Sequence, residues 1–197
     1  MAQGFHVTTD RCYGCKTCTV ACANEHLLEP GVLLRRVRQI NISEPIGHAF
    51  VSMSCNHCES PACVANCPVG AYTKQEDTGL VLQDHDLCIG CKMCTEVCPF
   101  SAPAYDEEES KTYKCDACIA RAQEGLAPVC TLSCPSNNIS FGEFDQMLAL
   151  NGDTVSVKDT AETEPNLAVV LDPDIPINVF SDIDSLQETV DPGGEDY

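Results

Sequence analysis

The pattern of apolar and polar positions predicts short strands and short helices joined by long loops. Two segments rich in β-branched and long apolar residues, 32–42 and 49–54, predict strands. Residues 70–82 predict a hairpin that turns at Asp77, Thr78 and Gly79. Residues 19–28 and 117–123 lack Pro and Gly and predict short helices. The mixture favours an α+β fold.

Cysteine content changes the picture of what holds such short elements together. The chain has 16 Cys in 197 residues, no Trp, and only 44% hydrophobic residues. A cysteine fraction of about 8% indicates that covalent or coordinate bonds support a thin apolar core. The first ten residues have none of the features of a secretory signal, so a disulfide scaffold is not expected.

Charge divides the chain into two parts. The formal net charge is -19, which argues against a nucleic-acid partner because phosphate contacts need a basic face. Residues 151–197 hold 12 acidic groups against Lys158, and all cysteines precede them. We therefore predict a cysteine-rich domain over 1–150 and an acidic C-terminal extension over 151–197. No apolar stretch has bilayer-spanning length, so no direct membrane insertion is expected.

The cysteines form four groups of four, separated by strand-like and hairpin-like segments. The third group, followed by Pro99, has the C-x2-C-x2-C-x3-C-P spacing of bacterial ferredoxins. Pro68 and Pro135 likewise follow the last cysteine of the second and fourth groups, whereas Ala23 follows the first group. The groups are Cys12, Cys15, Cys18 and Cys22; Cys55, Cys58, Cys63 and Cys67; Cys88, Cys91, Cys94 and Cys98; and Cys115, Cys118, Cys130 and Cys134.

This spacing suits an iron-sulfur cube. Three thiolates two residues apart converge from one tight loop, and in two-cluster ferredoxins the fourth cysteine ligates the other cluster. The groups are therefore expected to work in reciprocal pairs, and the adjacent second and third groups form one natural unit. Spacing alone does not decide the pairing.

Zinc is the main alternative metal, because sixteen thiolates would also satisfy four structural zinc sites. Zinc modules usually present pairs of C-x2-C separated by a longer loop, whereas two groups here carry a C-x2-C-x2-C triplet. The spacing therefore favours [4Fe-4S] clusters. His57, between Cys55 and Cys58, is expected to make a hydrogen bond to cluster or backbone rather than to ligate.

Four sequence motifs give the chain a family resemblance over residues 5–144. It resembles the four-cluster, ferredoxin-like electron-transfer (beta) subunits of the complex iron-sulfur molybdoenzymes, of the dimethyl sulfoxide reductase type. The motifs are Cys12-Tyr-Gly-Cys-Lys-Thr-Cys, Ser54-Cys-Asn-His-Cys, Cys88-Ile-Gly-Cys-Lys-Met-Cys and Lys114-Cys-Asp-Ala-Cys. The resemblance implies two intertwined bacterial-ferredoxin-like modules, one inserted into the other.

The resemblance also supports pairing the outer groups with each other, and it implies four [4Fe-4S] clusters. Their ligands would be Cys12, Cys15, Cys18 and Cys134 for cluster 1; Cys55, Cys58, Cys63 and Cys98 for cluster 2; Cys67, Cys88, Cys91 and Cys94 for cluster 3; and Cys22, Cys115, Cys118 and Cys130 for cluster 4.

The implied role is non-catalytic electron transfer between a quinol-side donor and a molybdopterin-containing catalytic subunit, with a membrane anchor subunit as a further partner. A free soluble polyferredoxin that serves several redox enzymes is the alternative. A zinc-stabilised interaction module is another. The sequence leaves localisation open between the cytoplasm and export together with the catalytic partner.

A basic run stands out in this acidic sequence. Arg35, Arg36 and Arg38 either dock an acidic partner surface or form a solvated strand edge. The sequence does not choose between these two interpretations.

Overall fold

The computed structural model describes residues 1–41, 48–150, 154–157, 162–171 and 187–188. Over these residues the fold is α+β, as predicted, with mixed short helices and strands. The helices are α1 Thr17–Glu25, α2 Ala62–Asn66, α3 Met93–Val97, α4 Ile119–Gln123, α5 Val129–Ser133 and α6 Phe144–Leu148. The strands are β1 Gln3–Thr8, β2 Arg36–Asn41, β3 His48–Met53, β4 Tyr72–Lys74, β5 Val81–Gln83, β6 Ala104–Asp106, β7 Lys111–Tyr113, β8 Ile139–Glu143, β9 Thr154–Ser156, β10 Leu167–Val170 and β11 Gln187–Glu188.

A four-stranded sheet in the order β8-β1-β10-β9 joins the two ends of the cysteine region. Phe5 of β1 stands opposite Phe141 of antiparallel β8 and opposite Leu167 of parallel β10. Phe5, Leu167 and Val169 are each at most 1% exposed, so the central strands are buried as parallel neighbours usually are. Both β9 and β10 belong to the segment predicted as an extension. The division at residue 150 stays a prediction.

The predicted strands are present with shifted bounds. The segment predicted over 32–42 forms a strand only from Arg36 to Asn41, and residue 42 lies outside the described residues. The strand predicted over 49–54 runs from His48 to Met53. These two strands pair antiparallel, with Val37 opposite Ser52. Val32 and Leu34, ahead of the strand, are instead buried against Cys22.

The predicted hairpin is confirmed, because β4 pairs antiparallel with β5 and Tyr72 stands opposite Gln83. Gly79 takes a positive φ of 68° at the turn, a conformation that glycine adopts at little cost. A second hairpin, β6 with β7, was not predicted.

Helix α1 has nine residues and each of the other described helices has five; α1 to α5 begin inside or beside the cysteine loops, whereas α6 follows β8 directly. The predicted helices 19–28 and 117–123 correspond to α1 and α4, while α2, α3, α5 and α6 were not predicted. Helix α1 packs on α5, and α2 packs on α3. Among the described residues, a search for a helix with the length and apolar character to cross a bilayer finds none.

Candidate metal centres

Cysteines from the two outer groups surround one cavity. Its lining includes Cys12, Cys15, Cys18 and Cys134, the set predicted for cluster 1. Gly14 and Lys16 have φ values of 74° and 57°, and these left-handed residues curl the loop before α1. The tight loop thus brings three thiols of one segment to the same cavity, and Cys134 arrives from the end of α5.

The set predicted for cluster 2 surrounds a second cavity. Cys55, Cys58, Cys63 and Cys98 line it, together with the buried Lys114. The Lys114 ammonium donates hydrogen bonds to the carbonyl oxygens of Val81 and Cys115. The cavity therefore has a cation in its wall.

The set predicted for cluster 3 surrounds a third cavity. Its lining includes Cys67, Cys88, Cys91 and Cys94. The loop repeats the geometry of the first one, because Gly90 and Lys92 have φ values of 68° and 61°.

The set predicted for cluster 4 is the most uniformly buried. Cys22, Cys115, Cys118 and Cys130 are each 4–5% exposed. Burial raises the pKa of Cys22 to about 12, and the thiolates of Cys130 and Cys118 contribute to that rise. Burial also raises the pKa of Cys118 to about 11, with a contribution from Cys130. Burial raises the pKa of Cys115 as well, and the thiolates of Cys22 and Cys130 raise it further, so the four sulfurs are neighbours.

The last cysteine of three groups ends a helix in extended backbone. Cys67, Cys98 and Cys134 have ψ values of 112–114°, as expected for residues that precede proline. Helix α1 instead continues through Cys22 to Glu25, because Ala23 allows another helical turn. The proline after the cysteine thus ends the helix at that cysteine.

Hydrogen bonds reach the sulfurs from backbone and side chains. The N–H groups of Ala71 and Asn138 donate to the Sγ atoms of Cys67 and Cys134, both at 3.3 Å and both from four residues onward. Ser52 Oγ lies 3.2 Å from Cys18 Sγ. Thr112 Oγ1 lies 3.4 Å from Cys94 Sγ. Sequence reasoning missed Ser52 and Thr112, since each is far along the chain from the cysteine that it contacts.

None of the sixteen cysteines is paired in a disulfide in the structure. Burial raises the pKa of Cys58 and of Cys63 to about 12. Metal ligands must be deprotonated thiolates, and a bound cation supplies the charge that makes deprotonation of a buried thiol favourable. Four convergent sulfurs with these surroundings fit a thiolate-bound iron-sulfur cluster.

His57 has the backbone hydrogen bond that was one of its two predicted roles. It is fully buried, and its Nδ1 accepts the N–H of Val81 at 3.1 Å. Burial lowers the pKa of His57 well below its ordinary value, and the nearby Lys114 ammonium lowers it further, so the ring is neutral.

Both interpretations of the basic run are wrong for two of its members. Arg35 and Arg38 are 1% and 4% exposed, so neither side chain is available to solvent or to a docking partner. Arg36 is half-buried and donates to the carbonyl oxygen of Ser101 at 2.6 Å. The sequence pattern favours a surface position because arginines that follow one another so closely are rarely buried together.

Comparison with protein families supports the metal assignment. A family model for a 4Fe-4S dicluster domain matches residues 46–144, and a second for a 4Fe-4S binding domain matches residues 9–25. The sequence is 39% identical over 179 residues to a component of the anaerobic dimethyl sulfoxide reductase of Escherichia coli (strain K12), covering 84% of this chain and 87% of that protein. The protein therefore belongs to the 4Fe-4S dicluster family that includes this chain of dimethyl sulfoxide reductase.

Other relatives of the family have related names. The sequence is 37% identical to the thiosulfate reductase electron transfer subunit of Salmonella typhi, over 69% of this chain and 73% of that protein. It is also 37% identical to one of the subunits of the tetrathionate reductase of Salmonella typhimurium (strain LT2), over 68% and 55% respectively. The predicted iron-sulfur and non-catalytic electron-transfer character is confirmed.

Proposed function

We propose that the protein holds four [4Fe-4S] clusters in two intertwined ferredoxin-like modules and relays electrons within a reductase complex. Electrons would pass from a quinol-side donor, through a membrane anchor subunit, to a molybdopterin-containing catalytic subunit. The relatives named for dimethyl sulfoxide, thiosulfate and tetrathionate reductases support a terminal reductase as the partner. A dimethyl sulfoxide reductase-like enzyme is the best match among these.

The observation that carries the proposal is the convergence of four sulfurs at each of four places. Three cavities have linings that contain the predicted ligand sets of clusters 1, 2 and 3, and the fourth set is a buried group of neighbouring thiols. In every set, three ligands come from one cysteine group and the fourth comes from its partner group. This exchange supports an inner module inserted into an outer one.

Contacts between the sets support the order 3, 2, 4, 1 along the molecule. Cys94 of set 3 shares a small apolar core with Cys63 of set 2. Burial raises the pKa of Cys115 of set 4, and nearby thiolates raise it further, including that of Cys55 of set 2. Sets 4 and 1 share helix α1, which contains Cys18 of set 1 and Cys22 of set 4.

The two ends of this order are the most accessible to partners. Of the sixteen cysteines, Cys15 of set 1 and Cys91 of set 3 are exposed. Set 4, in the interior of the row, is buried throughout. We therefore propose that the partner subunits meet the protein near Cys15 and near Cys91.

When bound, each [4Fe-4S] cluster accepts and releases single electrons at a potential set by its surroundings. The residues of this protein supply those surroundings. Thiolates hold the iron, backbone N–H groups such as those of Ala71 and Asn138 bond the sulfurs, and apolar packing keeps water from the inner positions.

Anaerobic purification of the protein with whatever subunits accompany it tests the proposal. Four clusters predict about 16 iron and about 16 acid-labile sulfide per polypeptide, with little zinc. We expect a large molybdenum-containing subunit to co-purify, and quinol analogues to reduce the clusters within the complex. A protein that carries zinc contradicts the cluster assignment, and a monomer that reduces several unrelated enzymes supports the polyferredoxin alternative.

A further inference from the structure

Arg35 is a charged side chain held entirely inside the protein. It is 1% exposed and stands directly before β2. One guanidinium nitrogen donates to Ser52 Oγ at 3.1 Å, and the other donates to Ser54 Oγ at 2.8 Å. The guanidinium carbon lies 4.6 Å from the ring centre of Phe5. Two hydrogen bonds, one from each terminal nitrogen, and a cation–π contact with Phe5 therefore hold the guanidinium in one position.

A buried guanidinium needs negative charge nearby, because removing an ion from water costs several kcal/mol. Within the described part of the chain, the contacts of Arg35 are with hydroxyl and carbonyl oxygens and an aromatic ring, without a carboxylate. The negative charge must come from another source.

Cysteines of sets 1 and 4 are that source. Ser52 Oγ, which accepts from Arg35, also lies 3.2 Å from Cys18 Sγ of set 1. Burial acts to lower the pKa of Arg35, but nearby thiolates outweigh it and raise the pKa above its ordinary value: Cys130, Cys115, Cys18 and Cys22. Phe5, on which the guanidinium stacks, shares the main core with Cys18 of set 1 and with Cys115 and Cys130 of set 4.

We infer that Arg35 is the shared counter-charge of clusters 1 and 4 and raises the reduction potentials of both. The inference rests on the proposed four-cluster function. Reduction adds one electron and hence one negative charge to a site that four thiolates already make negative. A fixed positive charge beside two such sites stabilises their reduced states. Arginine suits the position because it stays protonated when buried.

Substitution of Arg35 tests this inference in the purified complex. Arg35→Gln keeps a hydrogen-bond donor but removes the charge, whereas Arg35→Lys keeps the charge. Arg36→Gln is the matched control, because Arg36 is the neighbouring arginine and its guanidinium donates to the carbonyl oxygen of Ser101. Redox titration followed by electron paramagnetic resonance gives the potential of each cluster, and iron and sulfide analysis reports whether all clusters are present.

We expect Arg35→Gln to move the potentials of clusters 1 and 4 downward while cluster 3 keeps its value. Arg35→Lys should restore most of the shift, and Arg36→Gln should leave clusters 1 and 4 unchanged. A full iron content with unshifted potentials in Arg35→Gln overturns the inference, and so does an equal shift at every cluster.

Loss of iron in the variants is also decisive. If Arg35→Gln fails to hold its clusters but Arg35→Lys holds them at normal potentials, the charge is what the site needs, and the inference stands. If both variants lose the clusters, Arg35 serves packing and hydrogen bonding, and the inference fails. Failure of the proposed function is distinct, because it would appear as a low iron content in the unsubstituted protein.

Discussion

The two halves of the cysteine framework reach the same local geometry by different routes. The inner region, residues 55–98, takes its cysteines from one continuous segment that includes the β4–β5 hairpin. The outer region, residues 12–22 together with 115–134, joins distant segments through α1 on α5 and through β1 between β8 and β10. Closing a long loop costs more chain entropy than closing a short one, so the outer region depends more on tertiary contacts.

Both regions contain proline-terminated cysteine groups and glycine-containing loops, which makes matched substitutions informative. A residue of the inner region can be compared with its counterpart in the outer region for ligands, loop glycines, buried leucines and hydroxyl groups. The consequences should decrease in that sequence, because a lost ligand removes a cluster whereas a lost hydroxyl only shifts its potential.

Loss of a ligand should disrupt the protein most. Cys94→Ser removes a buried thiolate of the inner region, and we expect the protein to keep about 12 of the about 16 iron atoms of four clusters. Cys18→Ser should lose more iron, since set 1 and its neighbour set 4 help to join distant segments. In both variants, electron flow from a quinol analogue to the catalytic subunit should fall to background. Iron analysis and stopped-flow reduction measure the two effects, and undiminished flow without the cluster would contradict the relay.

Glycines in the two equivalent loops should differ in their tolerance of a side chain. Gly90→Ala and Gly14→Ala both place alanine at positive φ, which costs about 1–2 kcal/mol. A Cβ at Gly90 would collide with the backbone carbonyl of Ser110, whereas one at Gly14 would meet the ring of Phe50 at about 2.9 Å. A ring moves more readily than backbone, so Gly90→Ala should lose cluster 3 while Gly14→Ala keeps part of cluster 1. The electron paramagnetic resonance signal of each cluster measures how much of it is retained. Equal retention of cluster 3 in Gly90→Ala and of cluster 1 in Gly14→Ala would contradict the expectation.

Truncation of buried leucines compares the apolar support of the regions. Leu167, opposite Phe5 in the outer sheet, and Leu80 of the inner hairpin are 1% and 2% exposed. Leu167→Ala and Leu80→Ala should each cost about 2–5 kcal/mol. We expect Leu167→Ala to speed release of clusters 1 and 4 in denaturant, and Leu80→Ala to speed release of clusters 2 and 3. Leu150→Ala, at a side chain 47% exposed, is the control. The same release pattern in both variants would show that the regions do not unfold separately.

Removal of a hydroxyl near sulfur should change the protein least. Thr112 Oγ1 is close to Cys94 Sγ inside the protein, whereas Thr17 Oγ1 donates to the exposed Cys15 Sγ at 3.3 Å. A hydrogen bond to sulfur stabilises the reduced cluster, and water replaces it more easily at an exposed site. Thr112→Val should therefore lower the potential of cluster 3 more than Thr17→Val lowers that of cluster 1. Redox titration measures both, and a larger shift in Thr17→Val would reverse the interpretation.

Sequence reasoning found the features that depend on local spacing. The cysteine loops, the β4–β5 hairpin and the α+β class follow from short-range pattern, and the structure contains them. It missed α2, α3, α5 and α6, because helices of five residues leave too few positions for a periodic pattern. Assignment of individual cysteines to clusters remains a proposal that the geometry supports.

Features set by long-range contacts were not predicted. The burial of Arg35 depends on Ser52, Ser54 and Phe5, which come from β3, the loop after it and β1. Strand β10 was hidden in a segment that acidic composition marks as an extension, although its residues 167–170 are Leu-Ala-Val-Val. Average charge over a long segment conceals a short apolar strand inside it.

The position of β10 beside β1 has a consequence for biogenesis. The ribosome makes β1 first, yet the parallel neighbour of that strand, Leu167–Val170, emerges only after every cysteine has been made. On the proposed pairing, every ligand of clusters 2 and 3 has been made once Cys98 has been added, so these clusters would be the first with a full set of ligands. Maturation of the nascent polypeptide would then begin in the middle of the sequence and finish with the outer cysteine groups on either side of it.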